Sequence, residues 1–364
     1  MSSTAGAAGA SINPHDHALV FGIRRYFGTA SGWPHDLLGP DNDAAAVADW
    51  LADPAGGGLA KANVHIIRSA EAPDPFEDGR GLPGQAEVIA ALQQVVGLPR
   101  IYKDEENRQF AGRRLYIFVS GHGWATKRKQ AALVTAEAIK ERAPNVDVTS
   151  WADYLAEAGA FKEIILWADT CATRTDPTVV EGTPAAFGAA PIRHPNAAHV
   201  RIFEGFAAGI GLRAVENRMD DGSWHGAFTW ALVQALRGQA RTPVTTDTLC
   251  EYLRNAMKTF QSQTDKERRG VAHEPAFGSR DPITFATPTR QTVRVKITFP
   301  PACVGQVATI TQGRNAPPIA TKKLTGTSWT VSLEPALYHV GVAAGNVSAL
   351  FEAMGESVVA VELA

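Results

Sequence analysis

Cysteine is scarce in this chain of 364 residues, and the three present, Cys171, Cys250 and Cys303, cannot all pair with one another. Their spacing fits neither a zinc site nor a secreted disulfide framework, so a reducing, cytoplasmic setting is the expectation. Long apolar runs are also missing. Nothing approaches the roughly 20 residues a membrane helix needs, and the start MSSTAGAAGA has no basic segment leading into an apolar core. No membrane partner is therefore expected. Neither sign of charge dominates: 35 Lys and Arg stand against 37 Asp and Glu, a net charge of -2, which provides no extended field for nucleic acid. The phosphate loop GxxxxGK[ST], the GxSxG elbow and a GxGxxG after a strand are absent, which removes the common nucleotide and serine-hydrolase readings. His15-Asp16-His17 lacks the HExxH helical pattern, and no metal or other cofactor is assigned.

What is present is an alternation. Residues 17–23 (HALVFGI), 64–67, 115–119 (LYIFV), 163–168 (EIILWA) and 201–207 are short, nearly continuous apolar runs, the pattern of strands covered on both faces. Between and after them, residues 41–51 (DNDAAAVADWL), 86–96, 148–158, 227–236 (AFTWALVQAL) and 245–260 have helical apolar spacing. Strand and helix in turn predict an α/β fold with a mostly parallel sheet flanked by helices. After Pro288 the runs TVRVKITF, VATITQ, WTVSL, YHVGVAA and VVAVEL are rich in β-branched residues and separated by Gly, Pro and Asn, which predicts a small antiparallel β-sandwich. The expected organisation is a flexible arm over 1–16, an α/β domain over 17–287 and an all-β domain over 288–364. Residues 125–145 and 172–200 read as loops, the latter long and Pro-, Gly- and Thr-rich.

Two strand ends carry the chemistry. LYIFV delivers Ser120-Gly121-His122-Gly123, and EIILWA delivers Asp169-Thr170-Cys171. In an open α/β sheet the crevice lies outside the carboxyl ends of the strands, so the two side chains are expected to meet there. A thiol needs a base to become the attacking thiolate, and His122 is the imidazole placed to serve Cys171. The amides of Gly123 and Cys171 are assigned to a developing oxyanion. Taken singly, a cysteine after a strand is an ordinary packing residue and a histidine between glycines an ordinary turn residue; the pairing changes that reading.

With IFVSGHG, ILWADTC, the earlier ALVFGI and DNDAAAVADWL, and the later HGAFTWALVQAL, residues 17–262 resemble the caspase, metacaspase and paracaspase clan of cysteine peptidases. His122 precedes Cys171 by 49 residues, against a separation of roughly 50 in caspases. The resemblance implies a His122–Cys171 dyad, oxyanion amides from Gly123 and Cys171, and peptide cleavage through a thioester. It departs after the nucleophile, where Ala172-Thr173-Arg174 replaces the usual Gly or His-Ser-Gly, leaving the adjoining loop in doubt.

The resemblance to metacaspases also implies that Asp43, Ser120 and Asp169 line the primary specificity pocket, with Glu216 near the place of an arginine in aspartate-specific relatives. Carboxylates around a narrow pocket favour Arg or Lys before the cut. Asp43 could instead cap its helix, Glu216 could be a solvated residue, and an inward Arg213 would argue for an acidic substrate. Two alternatives stay open: an aspartate-specific protease, and a pseudoenzyme or scaffold acting through the β-sandwich. Expected partners are a protein substrate and, by resemblance, a pore-forming or regulatory protein in cell death or defence. Calcium regulation is left open, and basic residues such as Arg128, Arg142, Arg174 and Arg193 make self-cleavage conceivable.

Overall fold

Fully apolar runs can only be strands if both faces are covered, and that is how they are used. The computed structural model describes residues 13–32, 34–72, 81–127, 129–173, 193–219, 222–239, 243–259, 274–279, 281–287, 293–311, 318–333, 336–342, 347–353 and 359–363. The chain divides into two compact units, Met1–Thr287 and Pro288–Ala364.

The first unit is built on a six-stranded sheet in the order Ala276–Ser279, Arg201–Phe206, Phe161–Thr170, Gly112–Gly121, Asp16–Gly22, Val64–Arg68. Every neighbouring pair is parallel except the edge strand Ala276–Ser279, which runs antiparallel to Arg201–Phe206. One face, carrying Leu115, Ile117, Ile164 and Leu166, packs on helices Gln85–Val96 and Val148–Glu157. The other, carrying Tyr116, Phe118, Ile165 and Trp167, packs on helices Pro40–Ala52, Ala227–Gln234 and Thr246–Thr259. Trp50, Trp151 and Trp167 are core residues, and Cys250 lies in the second of these clusters.

The two long central strands pair without a slip, from Arg114 opposite Glu163 to Gly121 opposite Thr170. A row of charges crosses the sheet at the early end of that register. Asp16 stands opposite Arg114, Arg114 opposite Glu163, and Glu163 opposite Arg201, so that signs alternate over four strands. Arg114 Nε donates to Glu163 at 2.6 Å, and its other nitrogens reach the Tyr116 hydroxyl at 2.9 Å and the Thr284 carbonyl at 2.8 Å. Arg201 also pairs with Glu163, and Arg113 with Asp16. Asp16, Arg114 and Glu163 are buried, so the charges persist only because they neutralise one another.

Several expectations are corrected. Residues 13–16 are not a loose arm: the Asn13 amide donates to Gly58 at 2.7 Å and a strand begins at Asp16; residues 1–12 lie outside the described residues. Residues 125–145 are not loop throughout, because Ala132–Val134 within them pairs with Gly123–Trp124 and Asn145–Asp147 in a three-stranded antiparallel sheet. Glu216, assigned to no element from the sequence, lies in a hairpin pairing Glu216–Arg218 with Trp224–Gly226. Arg128, Arg174 and most of the 172–200 segment lie outside the described residues.

The second unit consists of two sheets whose inward side chains, among them Val295, Ile297, Trp329, Ile310 and Val340, share one apolar cluster that includes Cys303. Alternation is clean in Val293–Thr298, where Val293, Val295 and Ile297 are buried and Arg294, Lys296 and Thr298 exposed. The four-stranded sheet is antiparallel throughout. The three-stranded one departs from the expectation, since Val293–Thr298 pairs antiparallel with Ser328–Leu333 but parallel with Val359–Glu362. No helix among the described residues is long and apolar enough to cross a membrane.

Arg114→Met leaves Glu163 and Asp16 with a buried, undercompensated charge and is expected to cost about 3 kcal/mol, read as a lowered urea midpoint. Replacing Arg114 and Glu163 together by Met should recover part of that loss; a double variant worse than the single would refute the compensation.

Candidate active site

The register that aligns the two central strands continues past their ends. Ser120 faces Asp169 and Gly121 faces Thr170, and beyond the strands Trp124 bridges Thr173 in the same parallel sense. Each pair is 49 residues apart, so His122 and Cys171, also 49 apart, fall between two flanking pairs of the same offset. Both line one cavity of about 510 Å³, together with Asp43, Ser120, Gly123, Asp169 and Glu216. All seven residues singled out in the sequence are therefore brought together.

The glycines beside His122 serve the chain's own packing. Gly121 has φ of +156°, which L side chains rarely adopt, and a Cβ there would lie 2.9 Å from the Tyr26 hydroxyl. At Gly123 a Cβ would lie 2.6 Å from the Cβ of Thr170 and 2.8 Å from the Ala132 carbonyl oxygen. The loop thus closes tightly on the neighbouring strand.

His122 is held from three sides. Its backbone amide donates to the Tyr26 hydroxyl at 2.8 Å, and that hydroxyl donates to the Ile23 carbonyl at 2.8 Å. The rings of Tyr26 and His35 pack on the imidazole at centroid distances of 4.8 and 4.9 Å. Nε2 lies 2.8 Å from the His35 carbonyl oxygen, and a carbonyl can only accept. Nε2 therefore carries the hydrogen in the neutral ring, and Nδ1 is the basic nitrogen. Burial pushes the imidazole down to about 4, with the His35 carbonyl pulling weakly the other way.

Burial likewise pushes the Cys171 thiol up. The Ala214 backbone and the Arg213 guanidinium pull it back, while Asp169 and Glu216 add to the rise. Both shifts favour the uncharged pair, thiol and neutral imidazole, over a preformed thiolate–imidazolium ion pair. The two residues after Cys171 are held by backbone hydrogen bonds: Ala172 donates to Leu212 at 3.0 Å and accepts from Gly211 at 2.7 Å, and Thr173 accepts from Ala125 at 3.1 Å.

Two buried acids, Asp43 and Asp169, line the same cavity. Asp43 does not cap its own helix. Its carboxylate accepts from Ser120 Oγ at 2.9 Å and from the Gly226 amide at 3.1 Å, and lies 2.9 Å from His225 Nδ1. Burial pushes its carboxyl up against the pull of His225 and Ser120. Asp169 accepts from Thr229 twice at one oxygen, from the amide at 2.9 Å and the hydroxyl at 2.6 Å. Burial first, and the nearby Asp43 second, push Asp169 up to about 7. Glu216 is not simply solvated; it accepts from the Gly39 amide at 2.7 Å and the Leu38 amide at 3.2 Å, just ahead of the Pro40–Ala52 helix, where a negative charge is favoured. Tyr26, His35, His225 and Thr229 escaped the sequence reading. Only the HGAFT run, noted there for its resemblance alone, pointed toward two of them.

Because the folded state holds the Asp169 proton to about pH 7 and an unfolded chain releases it near 4, this carboxyl costs no stability in acid and progressively more as pH rises between those values. Asp169→Asn keeps an acceptor for Thr229 and removes the cost. Its Tm should match wild type near pH 4 and exceed it by at least about 3 °C at pH 8, measured by thermal unfolding across that range; a pH-independent difference would refute the assignment.

The family model for the caspase domain, peptidase C14, matches residues 15–282. No curated protein matches the chain. Among 175 matching chains of solved structures is caspase-1 from Spodoptera frugiperda, 14% identical, with a TM-score of 0.46 and coverage of 79% of this chain and 97% of that one. With a family match over most of its length that includes both strand ends of the cavity, the chain belongs to the caspase domain family of peptidases.

Proposed function

We propose that the chain is a cysteine endopeptidase that cuts peptide bonds after Arg or Lys. The observation that carries this reading is the joint presence of His122 and Cys171, each one residue past the last pair of the two central strands, at a cavity whose other lining includes the buried acids Asp43 and Asp169.

In the first step Nδ1 of His122 takes the thiol proton as Sγ attacks the scissile carbonyl carbon. Since the resting pair is uncharged, the imidazole acts as a general base during attack and does not merely neighbour a standing thiolate. The carbonyl oxygen gains the charge, and the amides of Gly123 and Cys171 are assigned to hold it. Collapse breaks the C–N bond, His122 returns its proton to the leaving amine, and a thioester remains on Cys171. Water, deprotonated by His122, then releases the acid and restores the thiol.

A cationic side chain before the cut would enter between Asp43, Ser120 and Asp169, where its charge offsets two carboxylates that repel one another. Glu216 adds negative potential from its anchored position. Arg213 lines the same cavity and favours an acidic guest, which keeps aspartate in the test. A role in regulated cell death or defence, through cleavage of a pore-forming or regulatory protein, is the biological setting that the family suggests.

Fluorogenic peptides differing only in Arg, Lys or Asp before the cut should be cleaved in the basic cases and not with Asp, and Cys171→Ala should abolish turnover. Preference for Asp would overturn the charge argument. Because Asp169 must be ionised to pair with the guest, kcat/KM for the Arg peptide should rise about tenfold between pH 6 and pH 8. His122, neutral above about pH 4, should add no limb to kcat in that range.

A further inference from the structure

The run His225-Gly226-Ala227-Phe228-Thr229 touches both acids of the cavity. It leads from the hairpin strand Trp224–Gly226 into the first turn of the Ala227–Gln234 helix, and its polar groups divide between the carboxylates. His225 Nδ1 and the Gly226 amide bind Asp43 at 2.9 and 3.1 Å. The Thr229 amide and hydroxyl bind Asp169 at 2.9 and 2.6 Å. His225, Thr229, Asp43 and Asp169 are all buried. Gly226 sits between the two acids. Its φ of -63° and ψ of 133° suit any residue, so its glycine is a matter of space. A Cβ at that position would lie 2.1 Å from Asp169 Oδ2, and the Cα is in effect the wall against which that carboxylate rests.

The helix start explains why this works. The first amides of a helix have no partner within it, and they lie at the positive end of its dipole. Gly226 is the N-cap and Thr229 the third helical residue, so two amides of this one helix start are spent on the two acids. Burial and mutual repulsion oppose ionisation of both carboxylates; the helix start and the Thr229 hydroxyl favour it.

We propose that His225, Gly226 and Thr229 act as one positioning segment, holding Asp43 and Asp169 apart and aimed so that the pair selects a cationic over a neutral side chain before the cut. The inference rests on the basic-pocket reading above and assigns a function to residues that reading leaves idle. None of the three touches the reacting atoms. Their effect is exerted through the acids, so it should appear in substrate binding and not in the chemical step.

The test compares wild type, Thr229→Val, Thr229→Ser and Gly226→Ala on fluorogenic peptides bearing Arg, Lys or citrulline before the cut, with circular dichroism as the check on folding. Citrulline keeps the shape of Arg without its charge. Loss of one hydrogen bond to a charged group should raise KM of Thr229→Val for Arg and Lys about tenfold. Its KM for citrulline and its kcat for Arg should stay within about threefold, and Thr229→Ser should restore the wild-type values. Alkylation of Cys171 by iodoacetamide, which does not need the pocket, should proceed at the wild-type rate in both Thr229 variants. Gly226→Ala, if folded, should lose more selectivity than Thr229→Val. Equal KM changes for Arg and citrulline, a fall in kcat with KM intact, or slowed alkylation in folded Thr229→Val would overturn the positioning role alone. A wild type that does not distinguish Arg from citrulline would overturn the basic pocket and this inference together.

Discussion

The parallel register between the strands Gly112–Gly121 and Phe161–Thr170 is the constraint on which the rest of the site depends. An offset of 49 residues runs from Arg114 and Glu163, at the buried charge row, to Gly121 and Thr170, and recurs at the bridge between Trp124 and Thr173, which line the cavity. A slip of one residue would turn every side chain of one strand to the other face and separate Arg114 from Glu163. A slip of two would keep the faces but place His122 beside a residue other than Cys171. Against that slip stand the charge row, which pairs unlike signs only in the observed alignment, and the close fit of Gly123 against Thr170. The spacing of histidine and cysteine along the chain is thus a sheet register written in sequence.

The two halves of the cavity handle charge in opposite ways. Around Cys171 and His122, burial favours the neutral thiol and imidazole, with the proton on Nε2 of His122 set by one backbone carbonyl. On the acid side, burial works against ionisation, yet the carboxylates are surrounded by donors from Ser120, His225, Gly226 and Thr229. An uncharged thiol and imidazole thus share a cavity with two carboxyls, and the proposed basic specificity rests on a guest side chain bringing the compensating charge.

How much was legible follows from range. The central strands and their helices could be read because each is a local pattern: apolar runs such as ILWA, and helical spacing such as AEVIAALQQVV. The short strands Ala132–Val134 and Asn145–Asp147 have too few residues to show a period, and the edge strand Ala276–Ser279 contains a glycine and only two apolar residues, so all three were missed. The parallel pairing of Val293–Thr298 with Val359–Glu362 joins segments more than 60 residues apart, and strand patterning carries no sign of direction. That Cys171 and His122 line one cavity was readable from their position after strands. His225 was not, because it meets Asp43 across 182 positions of chain.

By itself the sequence determined which residue types stand at the ends of which strands, and hence the fold class and the identity of the thiol, the imidazole and the acids. Tertiary structure alone decided which nitrogen of His122 is basic, that Asp43 does not cap its helix, and that Glu216 anchors the start of that helix. The division has a physical cause. Periodicity and residue chemistry are local properties of a chain, whereas proton placement and carboxylate orientation depend on burial and on donors contributed by distant segments, which exist only once the sheet has closed in register.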